Sequence, residues 1–308
     1  MNTKQLGTKL KGLVAATHTP FSADGQLNLQ GIEKQAEHLL RNGVTAVFVG
    51  GSTGESHSLT VDERLALVKR WSEVVRSTKQ QLIVHVGTNC LSDAKTMAVH
   101  AQSRGAVAIS ALAPSYFKPK SMNSLIECCA EIAGAAPSLP FYFYDIPVLT
   151  GVSFSMPDFL GIAPERIPNL VGLKFTNPDL MAYQKCLYVA GGRFDIPWGV
   201  DEYLLAALAC GAIGGVGSSY NFAAPIYHRL IRAFEAGDME AARSEQYRSV
   251  QLIELLARFG YMGAAKSLMV FLGVDVGQPR LPNSLLTENE QRELRIGLEL
   301  MGFFDWIH

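Results

Sequence analysis

Short apolar runs alternate along the chain with longer segments of helical period. The runs are Leu13–Thr17, Ala46–Val49, Leu82–Val86, Ala108–Leu112, Phe141–Tyr144, Gly172–Phe175, Ile196–Gly199 and Gly214–Gly217, spaced by roughly thirty residues. They are apolar throughout rather than alternating, the pattern of parallel strands covered on both faces. Between them, Leu29–Arg41 follows Asn28, a candidate cap, and Thr60-Val61-Asp62-Glu63 reads as a capping box ahead of Arg64–Val75. Asn177-Pro178 reads as a cap followed by proline in the first turn, and Asp201–Cys210 as a helix stopped by Gly211. Eight strand–helix units predict a (β/α)8 TIM barrel over residues 1–237. A doubly wound open sheet is the alternative, although it usually has fewer strands at this length. Residues 238–308 are mainly helical in pattern and predict a C-terminal helical extension packed on the barrel as part of one structural unit.

Composition narrows the class of partner. Of 308 residues, 48% are hydrophobic and 18% charged, with a formal net charge of −1. A large core can be buried, and no basic stripe favours nucleic acid or an anionic membrane, so a small-molecule ligand is expected. The five cysteines are odd in number and irregularly spaced, and no C-x-x-C pair occurs, which argues against a disulfide framework and a structural zinc site. The polar start, Met1 to Lys11, does not read as a signal peptide, and no apolar run is long enough to span a bilayer. A reducing cytoplasm is the expected setting. None of the seven histidines forms a pair at metal-binding spacing, so no metal is expected.

In such a barrel the chemistry lies at the C-terminal ends of the strands. Lys174 lies near the end of the sixth run among apolar residues. Burial disfavours an ammonium, and a neutral amine can attack a ketone to form a Schiff base. A lysine that reaches solvent or pairs with a carboxylate is the plainer reading of that position. Tyr144 ends the fifth run, where a phenol can move protons or simply pack. The segment Gly50-Gly51-Ser52-Thr53-Gly54-Glu55 after the second run can aim backbone N–H groups and two hydroxyls at a small carboxylate, or form a tight turn. It lacks the Gly-Lys-Ser/Thr ending of a P-loop. Asp201 and Glu202, after Gly199 at the end of the seventh run, could accept hydrogen bonds from sugar hydroxyls or face a helix dipole. Gly214–Asn221 lacks the third glycine of a dinucleotide turn, so no nucleotide cofactor is expected.

Gly50–Glu55, then Tyr144-Asp145-Ile146-Pro147, then Gly172-Leu173-Lys174, in that order and spacing, resemble the N-acetylneuraminate lyase and dihydrodipicolinate synthase superfamily. The likeness runs from about Gly12 to Gln278-Pro279-Arg280-Leu281-Pro282. It implies a (β/α)8 barrel, a homotetramer and a lysine Schiff base with pyruvate, without a separate cofactor. Synthases of that superfamily usually carry an arginine shortly after the Tyr-x-x-Pro motif, where this chain reads Val148-Leu149-Thr150-Gly151; it is closer to the lyase branch, which cleaves sialic acid. Gly199-Val200-Asp201-Glu202 and Gly217-Ser218-Ser219-Tyr220-Asn221 match that branch too. The resemblance implies Lys174 as nucleophile and Tyr144 as proton shuttle, with Ser52 and Thr53 on the pyruvate carboxylate and Thr53 assisting proton transfer. It implies Thr176, Gly199, Asp201, Glu202 and Ser218 along the sugar chain, and Tyr116 as a contribution to a neighbouring subunit's site. Asp145 stands where many members have Asn. The competing expectations are another pyruvate-dependent aldolase of the superfamily and a catalytically silent ligand-binding homologue.

Overall fold

The computed structural model describes residues 9–308, so most of the polar N-terminal stretch lies outside the described residues. Seven regular parallel strands form one sheet: β1 (Gly12–Ala16), β2 (Ala46–Val49), β3 (Gln81–His85), β4 (Ala108–Leu112), β5 (Phe141–Asp145), β6 (Leu170–Phe175) and β7 (Gly214–Gly217). The order is β6-β5-β4-β3-β2-β1-β7, every neighbour parallel. The remaining gap, between β6 and β7, is filled by residues 195–199. Asp195 and Trp198 bridge to β6, and Trp198 bridges to Gly215 of β7, so the ring closes into the eight-membered barrel that the runs predict.

The seventh member is irregular for a chemical reason. Asp195 N donates to Val171 O, Leu173 N to Asp195 O, Phe175 N to Pro197 O and Gly199 N to Phe175 O. The rung missing from that series is the donor of residue 197, and proline has no N–H.

Alternation along the strands separates two apolar layers. Val14, Ala16, Phe48, Ile83, Leu112, Tyr142, Tyr144 and Val216 meet inside the barrel. Leu13, Ala15, Val47, Phe141, Phe143, Leu173 and Phe175 point outward and pack with helix residues such as Leu39, Trp71, Phe159 and Tyr227. Strands buried on both faces need no polar side, which is why the runs do not alternate in sequence.

The capping box is present: Thr60 Oγ1 accepts from Glu63 N and Glu63 Oε2 from Thr60 N, starting the helix Val61–Val75. Three other helix starts fall later than the sequence suggests, two of them behind an asparagine. The first helix begins at Gly31, not Leu29, and the one after β6 begins at Leu180, capped by Asp179. In both places the asparagine caps a preceding turn: Asn28 Oδ1 accepts from Gln30 N, and Asn177 Oδ1 from Asp179 N. Asp201–Tyr203 is a 3-10 turn, and the helix proper runs Leu204–Cys210 to Gly211, whose φ of 112° suits only glycine.

After Asp238, which caps Met239–Arg258, come the helices Tyr261–Phe271, Glu288–Leu300 and Phe303–Trp306. Leu252, Leu256, Leu268 and Leu298 join them to the outer apolar layer. Among the described residues no helix is long and apolar enough to cross a membrane.

Candidate active site

Tyr144 and Lys174 are direct cross-strand partners on β5 and β6, both pointing into the top of the barrel. Lys174 is 4% exposed. Its Nζ lies 4.0 Å from the centre of the Tyr144 ring and 4.1 Å from that of Phe48. Among the described residues it forms no ion pair, so its amine is surrounded by aromatic faces instead of by a carboxylate. Tyr144 is in turn fixed edge-on by Phe48 at 5.8 Å and by His85 at 5.7 Å between ring centres. Its hydroxyl points out of this cage toward Ser52 Oγ, 3.4 Å away.

Ser52 and Thr53 belong to the turn after β2. Gly50 opens it with φ of 72°. His85 Nδ1 meets Gly50 O at 2.8 Å, and burial holds the imidazole well below its ordinary range, so the neutral ring donates its Nδ1–H there. A cavity of about 390 Å³ opens beside the turn, lined by Ser52, Glu55, Asn89, Leu112, Thr150 and Asn283. The turn thus presents polar groups beside a cavity open to solvent.

The residues after the seventh strand are arranged differently. Asp201 is buried, and its Oδ2 accepts from Ser219 N at 2.9 Å and from Ser219 Oγ at 2.5 Å. Burial pushes the Asp201 carboxyl up, opposed by those hydrogen bonds and by the nearby Lys174 charge. A Cβ on Gly217 would overlap this carboxylate, so the glycine is needed for the close approach. Ser218 Oγ shares a hydrogen bond of 2.7 Å with Tyr261 OH, from the helix Tyr261–Phe271. Glu202 is half-buried, and burial raises its carboxyl. Thr176 Oγ1 is buried without a partner, against Gly199, where a Cβ would strike it.

The geometry thus brings Lys174 against the Tyr144 ring and the Tyr144 hydroxyl to Ser52, with Thr53 beside Ser52. It sets Thr176 against Gly199 and Asp201 against Gly217–Ser219. Tyr116 stands apart: it is 79% exposed, in edge contact with the equally exposed Phe117. Phe48 and His85 are framing residues that motif reading missed, although both lie at the C-terminal ends of strands, where the barrel rule directs attention.

Comparison with known proteins gives a consistent picture. A model described as the dihydrodipicolinate synthetase family matches residues 9–300. N-acetylneuraminate lyase A of Xenopus laevis is 40% identical over 90% of this chain and 91% of its own length. N-acetylneuraminate lyase of Rattus norvegicus is 36% identical over 97% and 94%. The solved structure of Proteus mirabilis N-acetylneuraminate lyase superposes with a TM-score of 0.93, at 40% identity, covering 96% of this chain and all of that one.

Proposed function

The chain belongs to the dihydrodipicolinate synthetase family, and from that premise we propose that it is a class I aldolase that cleaves N-acetylneuraminate reversibly to pyruvate and N-acetyl-D-mannosamine. The observation that carries the reading is the cross-strand pair of Lys174 and Tyr144. It is an amine held on aromatic faces beside a phenol whose hydroxyl reaches the anion-binding turn. The names of its relatives supply the substrate.

In this mechanism the open-chain keto acid enters with its carboxylate on the N–H groups and hydroxyls of Ser52 and Thr53. Lys174 Nζ attacks C2, and loss of water leaves a protonated imine. The C3–C4 bond then breaks, its electron pair flowing into the imine to give an enamine, while the C4 hydroxyl gives up its proton and becomes the aldehyde of N-acetylmannosamine. Tyr144 Oη relays that proton, assisted by Thr53. The enamine is protonated at C3, and water hydrolyses the imine to free pyruvate and Lys174. The imine is the electron sink, so the reaction as proposed draws on no metal or prosthetic group.

Thr176, Gly199, Asp201, Glu202 and Ser218 line the path of the polyol, where Asp201 and Ser218 exchange internal hydrogen bonds for sugar hydroxyls. We place the enzyme in a homotetramer in the cytoplasm. The exposure of Tyr116 and Phe117 supports a neighbouring copy that covers them and receives Tyr116, and the five free cysteines suit a reducing compartment.

Borohydride reduction in the presence of pyruvate, followed by peptide mass spectrometry, tests the covalent step, and pyruvate release from N-acetylneuraminate tests the substrate. An adduct on Lys174 together with release is expected. An adduct without release would discard sialic acid, and folded protein without an adduct would discard the aldolase.

A further inference from the structure

Glu55 closes the anion-binding turn in a left-handed conformation, with φ of 55°, one of two non-glycine residues at positive φ among the described residues. A glutamate seldom adopts that geometry, and such backbone persists where its surroundings impose it. The surroundings are an ion pair buried to completion. Glu55 Oε1 lies 2.7 Å from Lys266 Nζ, with both side chains 0% exposed. Glu55 Oε2 accepts from Arg280 N at 2.8 Å and from Asn283 Nδ2 at 3.3 Å. Lys266 comes from the helix Tyr261–Phe271, beyond the barrel strands.

Lys266 also reaches the turn by a second route. It donates to Thr19 O at 2.9 Å, and Thr19 Oγ1 donates to Gly54 O at 2.7 Å. Its ammonium rests 4.2 Å from the centre of the Phe21 ring. His18, fully buried beside Lys266, faces the backbone of Thr53 and is held down to about 3 by burial and by the lysine charge, so it stays a neutral wedge. Within the turn, Glu55 N donates to Ser52 O and Ser56 N to Gly51 O. Rotating Glu55 therefore re-aims the N–H groups of Ser52 and Thr53.

A buried ion pair is a weak device for stability, because apolar residues of the same volume hold two elements together as well. What it adds is direction. We propose that Lys266, with Glu55 and Thr19, is a positioning unit for the carboxylate-binding turn, so that the helical layer after the barrel sets the affinity for the pyruvate half of the substrate. This rests on the reading above that the substrate carboxylate lies on Ser52 and Thr53.

The test measures the pyruvate concentration that half-saturates borohydride trapping at Lys174, for the wild type and for Lys266→Met, Glu55→Gln and Thr19→Val. Condensation kinetics with N-acetylmannosamine are measured alongside. The two charge variants are expected to raise half-saturating pyruvate and the pyruvate KM on the order of tenfold, and Thr19→Val by roughly threefold. The KM for N-acetylmannosamine and the limiting kcat stay within about threefold. Should Lys266→Met fail to fold, the near-isosteric Glu55→Gln and Thr19→Val carry the test. Folded variants that trap pyruvate at the wild-type concentration would overturn the proposal, as would kcat and both KM values worsening by a common factor. Trapping needs no sugar, so an error in the sugar substrate leaves this test intact. Wild-type protein that forms no adduct at all would overturn this inference and the function together.

Discussion

Tyr142 and Tyr144 stand two residues apart on β5, both pointing into the barrel, and the two ends of the barrel give them opposite tasks. At the lower end, Tyr142 OH donates to Asp195 Oδ2 at 2.7 Å, and Leu10 N donates to the same oxygen at 2.8 Å. The Tyr142 hydroxyl and one Asp195 carboxylate oxygen thus have their partners within the chain, and burial pushes the Tyr142 hydroxyl far up. At the upper end, the Tyr144 ring is held by Phe48 and His85 while its hydroxyl has a single long contact, 3.4 Å to Ser52. The lower tyrosine is fixed through its polar atom and the upper one through its ring. In the proposed mechanism, fixing the ring and sparing the hydroxyl leaves the proton-relaying atom free for substrate without leaving the side chain loose.

The sharpest break of this comparison is Lys174→Ala. Removing the proposed nucleophile should lower turnover by at least about 10⁴-fold and abolish borohydride trapping, with the thermal midpoint nearly unchanged because no ion pair is lost. Trapping that persisted on another lysine would place the chemistry elsewhere. Tyr144→Phe keeps the caged ring and deletes only the hydroxyl. It should lower kcat by about 10²–10⁴-fold and leave the denaturation curve in place. A large drop in stability instead would mean that the upper tyrosine works like the lower one.

Asp145 probes the upper end from outside the barrel. Burial raises its carboxyl from 3.8 to about 6, with Asn177 opposing. The folded protein therefore keeps a proton between about pH 4 and 6 that the unfolded chain has released. The stability this contributes is complete below about pH 4 and is lost as pH rises through 6. Asp145→Asn should raise stability at pH 7 by up to about 2–3 kcal/mol and flatten that part of the pH dependence, which urea unfolding at pH 5 and 7 would reveal. Equal gains at both pH values would show that burial of the charge is not the cause.

Tyr142→Phe is the mirror of Tyr144→Phe on the same strand. It removes a donor from a buried carboxylate and should cost about 1.5–3 kcal/mol of stability, while kcat holds. A kcat loss comparable to that of Tyr144→Phe would erase the distinction between the two ends. The smallest expected effect is Thr60→Ala, outside both regions. Breaking its capping box should cost about 1 kcal/mol by thermal denaturation with no kinetic change.

Much of this was legible in the chain. The apolar runs locate the eight members of the ring to within a residue or two, because strands buried on both faces are mostly apolar on both sides. The Thr60–Glu63 capping box is a local hydrogen-bond pattern and reads directly. Asn28 and Asn177 were harder, since an asparagine can cap a turn or a helix with the same side-chain oxygen and only the backbone path decides. Lys174 and Tyr144 could be singled out because each lies near the C-terminal end of a run and carries a group with chemistry of its own. Phe48 and His85 share that position but not the signal, since a phenylalanine and a histidine in a strand look like packing until the ring closes around a tyrosine.

The sequence by itself determined the period of burial, hence the barrel, and the candidate nucleophile, because both depend on residues within one short segment. The tertiary structure decided which groups stay free and which are occupied. Asp201 and Ser218, read as open sugar ligands, are already engaged by Ser219 and Tyr261. The Glu55 carboxylate is paired with Lys266, which reaches it only when the helix Tyr261–Phe271 packs against the barrel. Such partnerships link positions far apart in the chain, and no local pattern encodes them. They exist only once closure of the ring and docking of the helices remove water and leave each buried polar atom to find its partner within the protein.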